Sequence, residues 1–197
     1  ANSYTGGTYG VGLASGTNIG PNTEDTAASG IRINKAYPTF AKIAVPNNAL
    51  TNGTTIADKT LYRFSVKANG GDVALYKWSF TIGSSSVQAT TSTYGLYTYT
   101  DSGFSLVDSA FTSDGLINYG NCVNGENRFT STDRTSDSTD SPTIVEVYPD
   151  KGTRSCNATT TYTIASGATR YFDFRATVAN TESIASIQDT ISVRLEG

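Results

Sequence analysis

Carboxylates and thiols are the first candidates for chemistry in this chain, since the 197 residues include 17 Asp and Glu and two Cys but no His. Without imidazole, the commonest general base and metal ligand is missing, and neither a Ser-His-Asp nor a Cys-His constellation can form. Paired carboxylates still hydrolyse glycosidic bonds when two of them face each other across a cleft. Here Glu24, Glu126, Glu146, Asp173 and Glu182 are scattered, and no motif fixes two of them together. The expectation is a protein that is not an enzyme and needs no cofactor or metal. The acidic run "STDRTSDSTDSP", with Asp133, Asp137 and Asp140, offers oxygen ligands for Ca²⁺. It lacks the odd-position ligand spacing and mid-loop Gly of an EF-hand, so it reads as a solvated loop.

Cys122 and Cys156 form no C-x-x-C pair, and a histidine-free chain gives zinc few other ligands. They read as a disulfide, which implies an oxidising, extracytoplasmic setting; the alternative is two buried free thiols in a cytosolic protein. Two sequons, Asn52-Gly-Thr and Asn157-Ala-Thr, fall in turn-like stretches that would accept a glycan in a secreted protein. The opening "ANSYTGG" has no charged, apolar leader, as expected of a chain whose signal peptide has been removed. The formal charge is −3 and the pI is near 4.9. With no Lys/Arg cluster to displace phosphate counterions, a nucleic-acid surface is excluded as an expectation. No apolar run reaches membrane-spanning length, so no membrane insertion is expected.

The elements that would position any site are strands. Thr, Ser, Gly, Asn and Tyr are abundant at the expense of helix formers, and no segment keeps a helical period. "IRINKAY" and "TFAKIAV", interrupted at Pro38, read as an edge strand with a break. "LYRFSVKA" alternates Tyr62, Phe64 and Val66 with polar residues, and "VALYKWSFTI" does the same with Tyr76, Trp78, Phe80 and Ile82. Joined by "NGGD", they read as a hairpin anchoring the core, with Trp78 as a packed core residue. "YGLYTYT", "FSLV" and "LINYG" read as short pieces of a peripheral sheet or insertion. In "TIVEVYP" the expected buried side is Val145 and Val147. "RYFDFRATV" points Phe172, Phe174, Ala176 and Val178 inward, and "DTISVRLE" points Ile191, Val193 and Leu195 inward. The fold class expected is an all-β antiparallel β-sandwich, jelly-roll-like or immunoglobulin-like. Residues 1–30 read as an extended N-terminal arm, and 31–197 as the sandwich domain with the disulfide-bearing region in its middle.

Three stretches, "RINKAYPTFA", "TLYRFSVKANGGDVALYKWSFTI" and "TIASGATRYFDFRATV" running on to "DTISVRLEG", resemble β-sandwich modules of secreted S-layer-like and surface-filament proteins of candidate-phylum bacteria. The resemblance covers about residues 31–83 and 160–197 and implies an extracellular structural role, with no catalytic residue carried across.

In the arm, "TYGVGLASG" alternates Tyr9, Val11 and Leu13 with Gly10 and Gly12. This suits β-strand addition, in which a peptide completes a neighbour's sheet through main-chain hydrogen bonds while alternate side chains fill pockets. Burying the three apolar side chains is worth roughly 5–8 kcal/mol and each main-chain hydrogen bond about 1, against about 5–10 kcal/mol for ordering five residues. The near balance requires an acceptor that is already formed or broader contacts between subunits; the alternative is that the segment folds back onto its own sheet as the first strand. The expected function is therefore a secreted, cell-surface structural subunit that self-assembles with other copies of itself into a filament, pilus or surface layer. The alternative is a carbohydrate-binding or adhesive module that meets surface glycans with exposed tyrosines of "YGLYTYT" and Tyr119.

The disulfide reading has a direct check. Alkylation and mass spectrometry of the unreduced protein should find neither Cys122 nor Cys156 modified, and reduction should lower unfolding stability by up to about 4 kcal/mol, the chain-entropy value for a loop of about 35 residues.

Overall fold

The computed structural model describes residues 10–11, 18–19, 35–46, 53–85, 89–118, 121–123, 126–128, 135–136, 143–150, 160–180 and 189–196, with backbone alone at 10–11, 18–19, 121–123, 126–128, 135–136 and 180. The chain divides into two compact units, Ala1–Asn34 and Lys35–Gly197. In the first unit, β1 (Gly10–Val11) pairs antiparallel with β2 (Asn18–Ile19).

The second unit is an all-β antiparallel sandwich, with no helix among the described residues. Its strands are β3 (Tyr37–Ile43), β4 (Thr55–Asn69), β5 (Val73–Leu75), β6 (Trp78–Ser84), β7 (Ala89–Tyr99), β8 (Asn121–Val123), β9 (Glu126–Arg128), β10 (Thr135–Ser136), β11 (Thr143–Val147), β12 (Tyr162–Ile164), β13 (Thr169–Asn180) and β14 (Ile191–Leu195). Sheet I has the order β10-β7-β13-β4-β3, sheet II the order β14-β6-β11-β8-β9, and β5 pairs with β12 in a two-stranded ladder.

Two long segments organise this topology. Residues 55–84 pair antiparallel with three later strands in turn: β4 with β13 in sheet I, β5 with β12, then β6 with β11 in sheet II. Together they form one ribbon bent over itself. The bend corrects the hairpin reading of "NGGD", since β4 and β6 lie in different sheets and do not pair. The corner is held by the partner segment. Ala68 N–H donates to Ala168 C=O at 3.0 Å, Gly167 N–H to Ala68 C=O at 2.9 Å, and Ser166 N–H to the Asp72 carboxylate at 2.8 Å. Gly70 takes φ +75°, and a Cβ there would come within 2.6 Å of the Lys35 carbonyl oxygen, so only glycine fits.

The bend places the two aromatic faces opposite each other rather than side by side. Phe80 of sheet II stacks on Phe174 of sheet I at 4.0 Å, Trp78 approaches Phe172 at 5.5 Å, and Phe64 stacks on Phe172 at 4.8 Å. Phe64, Val66, Phe172, Phe174, Ala176, Val178, Trp78, Phe80, Ile82, Val145 and Val147 are buried, as their alternation predicts. Tyr76 departs from the prediction: it lies in the irregular link between β5 and β6, is 47% exposed, and meets Tyr148 edge-on at 5.6 Å. "YGLYTYT" is also corrected. It belongs to the eleven-residue β7, flanked by β13 and β10, with Tyr94 and Leu96 in the core. The alternation in β7 is hard to read because Thr93 sits at φ +54°, where a register shift moves the buried side from Thr91 to Tyr94.

Truncation should follow this geometry. Phe174→Ala is expected to cost about 3–5 kcal/mol in denaturant unfolding, whereas Ile144→Ala, at a residue 44% exposed on β11, should stay within about 0.5 kcal/mol.

Candidate functional site

The side of the sandwich where β3 ends sheet I and β14 ends sheet II is open among the described residues. β14 lies against β4, so β3 projects past the last described strand of sheet II. Phe40 shows the consequence. Its ring stacks against Phe64 at 6.4 Å on the core side of sheet I, yet it is 49% exposed. Next to it Lys42 holds its ammonium 5.5 Å from the Tyr62 ring, an exposed cation–π contact. Across the opening, Ile191, Val193 and Leu195 pack on the core but remain only half-buried, while Ser192 and Arg194 are exposed. The sequence therefore has the correct face of β14 but overstates its coverage, because among the described residues β14 has a neighbour on one side alone.

The backbone of β14 shows which groups face out. Glu196 N–H donates to Ser79 C=O at 2.8 Å and Thr190 C=O accepts from Ser85 N–H at 2.9 Å, so even-numbered residues point their amides toward β6. By the alternation of an antiparallel ladder, Ile191, Val193 and Leu195 present their N–H and C=O groups to the free edge. β3 is a poorer edge. Pro38 sits within the strand opposite Ala68 and has no N–H, and Lys42 adds a charge. Both are common means of blunting sheet edges. Pro38 does not break the strand, since an edge position leaves its missing donor unneeded by the ladder.

The residues singled out from sequence are not brought together in one place by the described structure. Val11 lies in β1 beside Gly10, whereas Tyr9 and Leu13 lie outside the described residues. Cys122 is the central residue of β8, opposite Glu146 and Asn127, and Cys156 lies outside the described residues. Asn52, Asn157, Tyr119, Asp133, Asp137 and Asp140 also lie outside them.

The tyrosine platform is a different matter. Tyr94 and Tyr99 are buried, and Tyr97 is covered by the Arg175 guanidinium at 4.6 Å from its ring. These rings belong to the core and to a charged network on the outer face of sheet I. At its centre Asp173, 0% exposed, accepts from Arg63 at 3.0 Å, from Arg175 at 2.9 and 3.0 Å, and from Thr60 at 3.2 Å. Arg175 also donates to the Tyr99 hydroxyl at 2.6 Å, and the Phe104 ring covers Arg63 at 4.0 Å. Phe104 is held at φ +57° by a loop in which Asp101 accepts from the N–H groups of Gly103, Ser105 and Leu106. Sequence gives Asp173 as a polar-face residue of "RYFDFR"; that it neutralises Arg63 depends on β4 pairing with β13, which no local pattern announces.

A second buried carboxylate, Asp108, accepts from Tyr162 at 2.6 Å and from Ala110 N–H at 3.0 Å and pairs with Arg170, tying the segment after β7 to the corner strand β12. Burial alone would raise its pKa, but the hydrogen bonds from Tyr162 and Ala110 and the Arg170 charge outweigh that and hold it below the ordinary carboxylate range. Burial and the Asp108 hydrogen bond push the Tyr162 hydroxyl up, so it stays a donor at any ordinary pH.

Searches against protein-family models and against curated proteins find no match to the chain.

The Asp108 cluster generates a pH prediction. A carboxylate depressed in the folded state contributes stability above its unfolded pKa and loses it as pH falls through the folded one. Asp108→Asn should therefore lower stability at pH 7 and make the fall in stability below about pH 4 shallower than in the parent, as read by urea unfolding at a series of pH values.

Proposed function

We propose that the protein is an extracellular structural subunit that polymerises into a surface filament, pilus or surface layer, the "TYGVGLASG" strand of one copy adding to the sandwich of the next. The observation that carries this reading is the open side between β3 and β14. There a half-exposed Phe40 and a half-covered row of Ile191, Val193 and Leu195 border sheet ends without a described partner. An acceptor of this kind is already formed, as the energetics of a five-residue donor require. The donor is suited to it by its apolar side, Tyr9, Val11 and Leu13, and by Gly10 and Gly12, which leave the other side bare. The resemblance to surface-layer modules and the disulfide reading point to the same extracellular setting. A glycan-binding role for "YGLYTYT" is not favoured, because Tyr94 and Tyr99 are buried and Tyr97 lies under Arg175.

Deletion of residues 1–16 tests the reading. The expected result is a folded monomer with an unchanged melting temperature that no longer forms polymers in negative-stain micrographs or sedimentation. A monomer that melts well below the full chain would instead show that the segment completes its own sandwich.

A further inference from the structure

The sandwich has more than one sheet end, and the open side alone has two, so polymerisation by strand addition leaves the acceptor strand undetermined. We infer that the acceptor is the free edge of β14, which receives Tyr9–Leu13 of a second copy as a further strand of sheet II, facing β3 across the core. This rests on the polymerisation reading above and adds the site at which it happens.

Three observations select β14. First, its outward backbone row is complete: Ile191, Val193 and Leu195 each carry an N–H and a C=O directed away from β6, and the strand holds no proline. On β3, Pro38 removes a donor and Lys42 places a charge at the edge. Secondly, the residues that present these backbone groups are also the ones whose side chains face the core and are half-covered. A strand laid beside them in the same pleat would align its own alternate side chains with Ile191, Val193 and Leu195. β14 spans five residues, and Tyr9–Leu13 is five residues long with apolar side chains at its first, third and fifth positions. Thirdly, the two sheets are out of step by one strand on this side. β14 lies against β4, so the next position in sheet II faces β3, and a strand there would cover Phe40, the exposed aromatic that sheet II leaves bare. A strand added to β3 would extend the overhang and leave Phe40 uncovered by sheet II.

The backbone of Gly10–Val11 is already extended, and its antiparallel ladder to Asn18–Ile19 uses one edge of the strand. The other edge is the one that would meet β14. Addition of β1 would then carry β2 with it as the outermost strand.

Photocrosslinking in the full-length protein tests the site. The residue p-benzoylphenylalanine is placed at position 10, which faces away from the core when Val11 faces in, and this protein is polymerised with isotope-labelled wild-type copies. The expected crosslink joins position 10 of one copy to the outer-face residues Ser192 or Arg194 of another. Crosslinks between copies to residues 37–43 would overturn the β14 assignment and leave polymerisation by strand addition standing. Crosslinks confined to a single copy, or a protein that stays monomeric, would overturn both. A second variant pair gives an independent readout. Val193→Pro removes an outward N–H without touching the bonds to β6, and should abolish polymers while the monomer stays folded and melts no lower than Val193→Ala. Lys42→Pro, which removes an outward N–H from β3 instead, should leave strand-to-strand docking intact, and loss of polymers in that variant alone would overturn the assignment.

Discussion

The contact between Phe80 and Phe174 holds the two layers together, and the long ribbon explains why it forms. Burial of large aromatic faces needs a second layer, and the chain supplies it by bending one antiparallel ribbon over itself instead of docking two independent sheets. The bend depends on glycine at Gly70 and Gly167, both at positive φ, and on hydrogen bonds passing between the two corner segments at Ala68, Asp72, Ser166 and Ala168. Because β4, β5 and β6 are each paired with β13, β12 or β11, the crossing is reinforced by a ladder before, at and after the corner.

That architecture explains the placement of charge. The polar face of "RYFDFR" lies outside sheet I, where Asp173 is buried only because Arg63, Arg175, Thr60 and the ring of Phe104 close over it. One carboxylate serving two guanidiniums fixes the register of β4 against β13 at Arg63 and Asp173, since a slip of one residue would bury it without its partners. The bulges beside Arg175 and Ala176 fall next to this network, on both neighbours of β13. Asp108 has a similar role at the corner, linking β12 and Arg170 of β13 to the segment that follows β7.

Much of this was legible from alternation alone. Phe64, Phe172, Phe174, Val145 and Val147 are buried as a period of two requires, and the proline in "AYPTFA" marks β3 as an edge. What local pattern does not contain is pairing. "NGGD" has the composition of a hairpin turn, and whether it closes a hairpin or turns a corner depends on β13, about a hundred residues away. β7 was obscured for a local reason, the positive φ at Thr93, which interrupts an alternation that would otherwise mark a core strand. The open side was invisible for a third reason: Ile191, Val193 and Leu195 read as ordinary inward residues, and their incomplete coverage follows from β14 being the last described strand of its sheet.

An edge strand with a complete outward row of backbone groups and a half-covered apolar face is costly to leave bare, and folded proteins commonly blunt or occupy such edges. On β3 the blunting is present as Pro38 and Lys42, whereas β14 holds no proline and its one charge, Arg194, is paired with Glu196. The proposed occupation by a neighbouring copy would resolve that asymmetry. Amide hydrogen exchange followed residue by residue before and after polymerisation measures it most directly. The amides of Ile191, Val193 and Leu195 should exchange rapidly in the monomer and become strongly protected in the polymer; protection already complete in the monomer, or exchange unchanged on assembly, would contradict a donor strand at this edge.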